Sequence, residues 1–147
     1  ERLIRSAGSF DLRFVCPDPH AYALTDETYT IATMGTHALQ REKGNTVSEP
    51  VYRLRGVIRT AEKIFLTTND EELQVVGPLA DGETLIIDSG LVTAKVVNEE
   101  GETLRNGLPR LKELNFPALY KGTNTVKVAV ENATFVDLNI EAHSRWR

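Results

Sequence analysis

The chain has 147 residues, 17 Lys+Arg against 21 Asp+Glu, and a formal net charge of −4. That length fits one domain of about 100–200 residues and can bury a core without covalent staples. The acidic balance excludes nucleic-acid binding driven by bulk electrostatics, which needs a basic excess or a basic stripe. The single Cys excludes an intramolecular disulfide framework and a Cys-based zinc cluster. No apolar run approaches the ~18 residues of a membrane-spanning helix, and no charged-then-apolar signal pattern opens the sequence. The first residue is Glu1 rather than Met, which reads as a fragment or a processed product.

The dominant period along the chain is two. Phe10, Leu12 and Phe14 alternate with Asp11, Arg13 and Val15, the pattern of a strand with one apolar face. Pro17 and Pro19 stop that strand, since proline cannot donate to a ladder, and Cys16 to Leu24 becomes a boundary. The polar stretch Gln40–Asn45 reads as a surface loop between two strands. Tyr52, Leu54 and Ile58 then alternate with Arg53, Arg55 and Arg59. Asp70-Glu71-Glu72 and Glu99-Glu100 read as solvated hairpin loops, because charges beside turns are the ordinary case.

Leu85-Ile86-Ile87 and Leu91-Val92 to Val96-Val97 read as more buried strands, joined by a tight hairpin at Asp88-Ser89-Gly90. Asp81-Gly82, Glu100-Gly101, Asn106-Gly107 and Lys121-Gly122 supply turn residues that tolerate positive φ. Pro109–Leu114 predicts one short helical turn, with Pro109 at a first helical position. Val126, Val128 and Val130 alternate with Thr125, Lys127 and Ala129. Val136, Leu138, Ile140 and Ala142 alternate with Asp137, Asn139 and Glu141. Nothing sustains helical spacing for three turns. Short strands at this spacing predict an all-β fold, an antiparallel two-sheet β-sandwich. Leu85, Ile87, Val126, Val128, Val130, Val136, Leu138 and Ile140 form the expected core.

The residues that carry chemistry are sparse. Cys16 and His20 bracket Asp18, and a Cys–His pair can be a nucleophile with its base. Pro17 and Pro19 impose an extended path, so the two side chains have no reason to converge. His20, His37 and His143 are far apart and share no metal-ligand spacing. The acidic clusters lack the spacing of a calcium loop, and no phosphate-cradling glycine loop or nucleophile elbow occurs. The expectation is therefore no catalytic residue, no cofactor and no metal. The aromatic residues Tyr22, Tyr29, Tyr52, Phe65, Tyr120 and Trp146 are the candidates for a sugar platform. Trp146, between Arg145 and Arg147, either anchors the last strand or meets a partner.

Several segments resemble one family. Asp81-Gly82-Glu83-Thr84-Leu85-Ile86-Ile87-Asp88 is followed by Asn115-Phe116-Pro117-Ala118-Leu119-Tyr120-Lys121-Gly122-Thr123-Asn124-Thr125-Val126-Lys127-Val128, and the chain closes on Ser144-Arg145-Trp146-Arg147. Upstream stand Phe14-Val15-Cys16-Pro17-Asp18-Pro19-His20-Ala21-Tyr22, then Gly35-Thr36, then Glu49-Pro50-Val51-Tyr52-Arg53-Leu54-Arg55-Gly56. In this order, from Phe10 to Arg147, the segments resemble the distal tail proteins of long-tailed, siphovirus-type bacteriophages.

The resemblance implies that residues 1–20 are the terminal strand and junction of a mostly absent ring-forming domain. It implies that residues 21–147 are a jelly-roll sandwich of galectin-like or carbohydrate-binding-module-like kind. It further implies a structural component of a phage or prophage tail tip, made in the bacterial cytoplasm and placed in the virion between tail tube and host-adsorption apparatus. The expected partners are tail-tube, tail-tip and receptor-binding proteins, with neither nucleic acid nor membrane. The expected assembly is a homo-hexamer for the full-length protein and a monomer or weak dimer for this piece. The alternative function is a module that binds a host cell-surface saccharide. Tyr120, Trp146 and Arg145 are the candidate contacts for a partner or a glycan.

Overall fold

The structure is a computed structural model, and it describes residues 8–147. Among the described residues twelve strands follow one another: β1 (Ala21–Tyr22), β2 (Thr28–Ile31), β3 (Gly35–Arg41), β4 (Val51–Val57), β5 (Lys63–Thr68), β6 (Glu71–Val76), β7 (Thr84–Asp88), β8 (Thr93–Val97), β9 (Thr103–Asn106), β10 (Gly122–Glu131), β11 (Thr134–Glu141) and β12 (Arg145–Trp146). One 3₁₀ turn, Leu108–Arg110, contains Pro109, where the sequence predicts a helical turn. β3-β10-β5-β6 form one sheet and β2-β11-β4-β7-β8-β9 the other, while β1 and β12 make a small pair of their own. All the ladders are antiparallel. The fold is the expected all-β sandwich.

Alternation puts one face of each strand into the space between the sheets. Tyr52 and Leu54, Leu85 and Ile87, and Leu138 and Ile140 come from one sheet, and Ile64 and Leu66, Leu73 and Val75, and Val126 and Val128 from the other. All of them are buried. The hairpin between β5 and β6 turns on Asn69 and Asp70, with φ of 48° and 69°. Positive φ at both central residues is the geometry that matches the twist of the flanking strands.

Two interior polar side chains hold the irregular segments. Asn124, almost fully buried, donates to the carbonyls of Tyr120 and Gly122 at 2.8 and 3.0 Å, and its Oδ1 accepts from Tyr120 N and Asn69 Nδ2, both at 2.8 Å. The segment Ala118–Gly122 is thus tied to the β5–β6 turn. Arg41, fully buried, donates to the carbonyls of Tyr120 and Thr46 at 3.2 and 2.5 Å and pins the loop between β3 and β4. Burial pulls its pKa below the ordinary guanidinium value.

The structure corrects several expectations. Phe10–Val15 is not a strand here: Phe10, Leu12 and Phe14 are 78%, 69% and 88% exposed and no ladder receives them. Alternation makes a strand only where a partner edge exists. The part of this reading that falls on residues 1–7 lies outside the described residues. Leu91 and Val92 do not begin β8. They cap the β7–β8 hairpin in the open, with Val92 at a φ of 54°. Gln40 and Arg41 belong to β3 rather than to the following loop. Val130 is only partly buried, and Val136 is 45% exposed. Between Phe135 and Asp137 the register against β4 shifts, from Phe135 opposite Gly56 to Asp137 opposite Arg55. Val136 is the extra residue of a β-bulge, so Phe135 packs on the core and Val136 turns outward. Gly56 permits this approach, since a Cβ there would lie 2.5 Å from the Thr134 carbonyl oxygen.

Truncation of Leu138 to Ala should therefore cost about 2–5 kcal/mol by loss of transfer energy and creation of a cavity. Val136→Ser should stay within roughly 0.5 kcal/mol of the parent. Chemical denaturation of both variants checks the parity, and equal losses would place the bulge elsewhere.

Candidate functional site

Both ends of the sandwich domain meet at one edge. β1 pairs with β12, Ala21 opposite Trp146 and Tyr22 opposite Arg145. Ala23 N donates to the Ser144 carbonyl at 3.0 Å. The loop between β3 and β4 lies against the same place. Asn45 N donates to the Arg145 carbonyl at 3.1 Å and Asn45 Oδ1 accepts from Arg147 N at 3.0 Å. Gly44 is required here by two constraints: its φ is 81°, and a Cβ would lie 2.7 Å from the Arg145 carbonyl oxygen.

Arg145 is the centre of this edge. Its Nε donates to the Val47 carbonyl and its Nη1 to Glu49 Oε2, both at 2.8 Å. Together with Tyr22, Glu49, Asp88, Leu91 and His143 it lines an open groove of about 340 Å³. A second hollow of about 390 Å³ continues past His143 over the outer face of the six-stranded sheet, along Arg53, Ile86, Lys95 and Glu141. A third, along Ala23, Leu24 and Asp26, also begins at Tyr22 and His143. The three hollows share His143, which stands at a φ of 50°. Tyr22 and Leu91, 52% and 73% exposed, provide the apolar surface. The charges are mostly matched, Arg145 with Glu49 and Arg53 with Glu141 at 3.5 Å. One ring beside a row of fixed donors and acceptors is the make-up of a small polar-ligand site or a protein contact.

Asp18 stands beside this groove. Its Oδ2 accepts the Tyr22 hydroxyl at 2.6 Å, and its Oδ1 lies 3.0 Å from His20 N and 2.8 Å from His20 Nδ1. The hydrogen bond from Tyr22, then those from His20, hold the Asp18 carboxyl down at about 2. The same carboxylate pushes the Tyr22 hydroxyl up, partly opposed by Arg145.

The residues singled out in the sequence fall as follows. Arg145 lines the groove and Trp146, 37% exposed, is its neighbour on β12. Tyr120, 52% exposed, sits on the segment before β10 and enters the Asn124 and Arg41 networks through its backbone atoms alone. Tyr52 is interior, its hydroxyl on Thr68 Oγ1 at 3.1 Å. Tyr29 is partly buried with its hydroxyl on the Gln40 carbonyl, and burial raises its pKa to about 12. Cys16 and His20 do not bond each other; the thiol donates to the Asp18 carbonyl at 2.8 Å. His37 contacts the Thr33 carbonyl at 2.9 Å. Among the described residues no group of three or more His, Cys, Asp or Glu side chains is placed to hold a metal ion. His143, weighed in the sequence only as a metal ligand, lies in the groove with Glu49, Asp88 and Leu91; the sequence marks none of these four as a groove residue, because the groove is assembled from separate turns.

No protein-family model and no curated protein matches the sequence. Among solved structures, the chain is similar to the SPP1 Dit (gp 19.1) protein, described as a paradigm of the hub adsorption apparatus in phages that infect Gram-positive bacteria. The TM-score is 0.58 at 15% identity, over 86% of this chain and 49% of that one. The chain thus spans about half the length of the protein it matches, and at this identity the likeness shows a shared fold.

The Asp18 carboxyl gives a direct check. A carboxyl whose pKa is lowered favours the folded arrangement above its ordinary value of 3.8 and loses that contribution as pH falls toward about 2. Carbon-detected NMR titration should place its midpoint near 2, and Tyr22→Phe should move the midpoint upward. A midpoint at the ordinary value in the parent would mean that the hydroxyl contact is not formed in solution.

Proposed function

We propose that this chain is a structural part of a bacteriophage or prophage tail tip, linking the tail tube to the host-adsorption apparatus. The observation that carries the reading is the structural likeness of 86% of the chain to SPP1 Dit. It is supported by the ordered sequence segments from Phe10 to Arg147 that resemble distal tail proteins. On this reading residues 1–20 are the end of a ring-forming domain, and Phe10, Leu12 and Phe14 pack into that domain in the longer protein. Their exposure here supports that division. The partners are tail-tube, tail-tip and receptor-binding proteins, and Arg145, Trp146 and Tyr120 are contacts to them. The full-length protein is a homo-hexamer, this chain a monomer or weak dimer, and the place of action the virion tail tip after synthesis in the bacterial cytoplasm. No catalytic step is assigned.

The groove at Tyr22, His143 and Arg145 supports a second reading, a module that binds host cell-surface saccharide, with the Tyr22 ring as the stacking surface. Titration of the purified chain against a glycan array tests it. Tyr22→Ala should weaken any binding by roughly threefold to tenfold, and absence of binding by the parent removes the reading.

Purified particles of the encoding phage, or of the induced prophage, provide the test of the principal reading. Mass spectrometry should find the chain in the virion, and gold-labelled antibody against residues 21–147 should decorate the tail tip. Absence from the particles, or labelling of heads alone, would overturn it.

A further inference from the structure

The approach to the sandwich is built differently on the two sides of Cys16. Upstream, Phe10–Val15 is exposed and has no ladder. Downstream, Pro17 and Pro19 hold φ near −65° and force Cys16 and Asp18 into extended conformations. The Asp18 carboxylate then closes forward onto His20 N, the His20 ring and the Tyr22 hydroxyl. The Cys16 thiol closes onto the Asp18 carbonyl. Tyr22 is itself fixed by pairing with Arg145, whose guanidinium is held by Val47 and Glu49. The loop that presents Val47 is pinned from inside by Arg41. A continuous series of restraints therefore runs from the sandwich interior to Cys16.

We propose that Cys16–Tyr22 is a rigid strut that sets the direction in which the preceding chain leaves the sandwich. Asp18 is its positioning residue, acting through Tyr22. Two prolines alone restrict local angles but leave the strut free to swing about Ala21. The Asp18–Tyr22 bond closes that freedom, because it ties the middle of the strut to the strand on which the strut is mounted. Each bond is exposed and individually weak, yet it selects among exit directions that are otherwise nearly equal in energy, so a modest preference is sufficient to populate one of them. The inference rests on this geometry and is independent of whether the chain belongs to a tail tip.

Pulsed electron spin resonance on the whole chain tests the strut. Nitroxides are placed at Val15→Cys and Lys127→Cys, both exposed, the second on β10, with Cys16→Ser leaving only these two labels. The expected result is one narrow distance distribution. Asp18→Asn, and separately Tyr22→Phe, should widen it about twofold or more, with an unchanged melting temperature. Asp18→Asn alters an exposed carboxyl outside the β1–β12 pair, so it serves if Tyr22→Phe disturbs that pair. A broad distribution already in the parent overturns the proposal. So does a distribution that stays narrow in both folded variants, which would leave the prolines as the whole cause.

Discussion

The interior that the two sheets close over is the constraint from which the rest follows. Leu54, Leu85, Ile87, Val96 and Leu138 face Ile64, Leu66, Leu73, Val75, Val126 and Val128, all with 1% exposure or less. Because the side-chain period of a strand is two, slipping any one strand by a residue would exchange its buried set for its polar set. The interior thus fixes together the registers of the strands that line it. It also fixes where irregularity is allowed: the extra residue on β11 sits at the start of that strand, where Gly56 leaves room for it.

The edge where β1 meets β12 depends on that interior through polar groups rather than apolar ones. Arg41 extends from the end of β3 and holds the following loop by the Thr46 carbonyl and the segment before β10 by the Tyr120 carbonyl. That loop offers Val47 and Glu49 to Arg145. Asn124 does the same for the segment leading into β10. A buried group that satisfies several backbone atoms costs much when removed, since its partners are left unpaired in a dry environment. The groove is therefore shaped by side chains that do not line it.

The strands with clean alternation, Tyr52–Leu54, Val126–Val128 and Leu138–Ile140, were legible because one face of each meets the core. Val136 was not, because a bulge is a property of a strand pair, and the residue that permits it is Gly56, 80 positions earlier in the chain. Leu91 and Val92 show that an apolar pair can cap a turn as readily as start a strand. Phe10–Val15 has the pattern of a strand, but a pattern cannot supply the neighbour that completes it. Of the site, Arg145, Trp146 and Tyr22 stood out as exceptional residues. His143, Glu49 and Asp88 are ordinary polar residues near turns, and only the closing of the sheets brings them to one groove.

The pairing of β1 with β12 has a mechanical consequence. Tension applied through the chain ahead of Pro17 arrives first at a ladder of two residues per strand and at the Ala23–Ser144 bond. That small clasp is separate from both large sheets, so breaking it alone would leave the ladders of both sheets intact. The sandwich is in this sense suspended from a fuse, which yields some length before any of the buried layer is exposed to water.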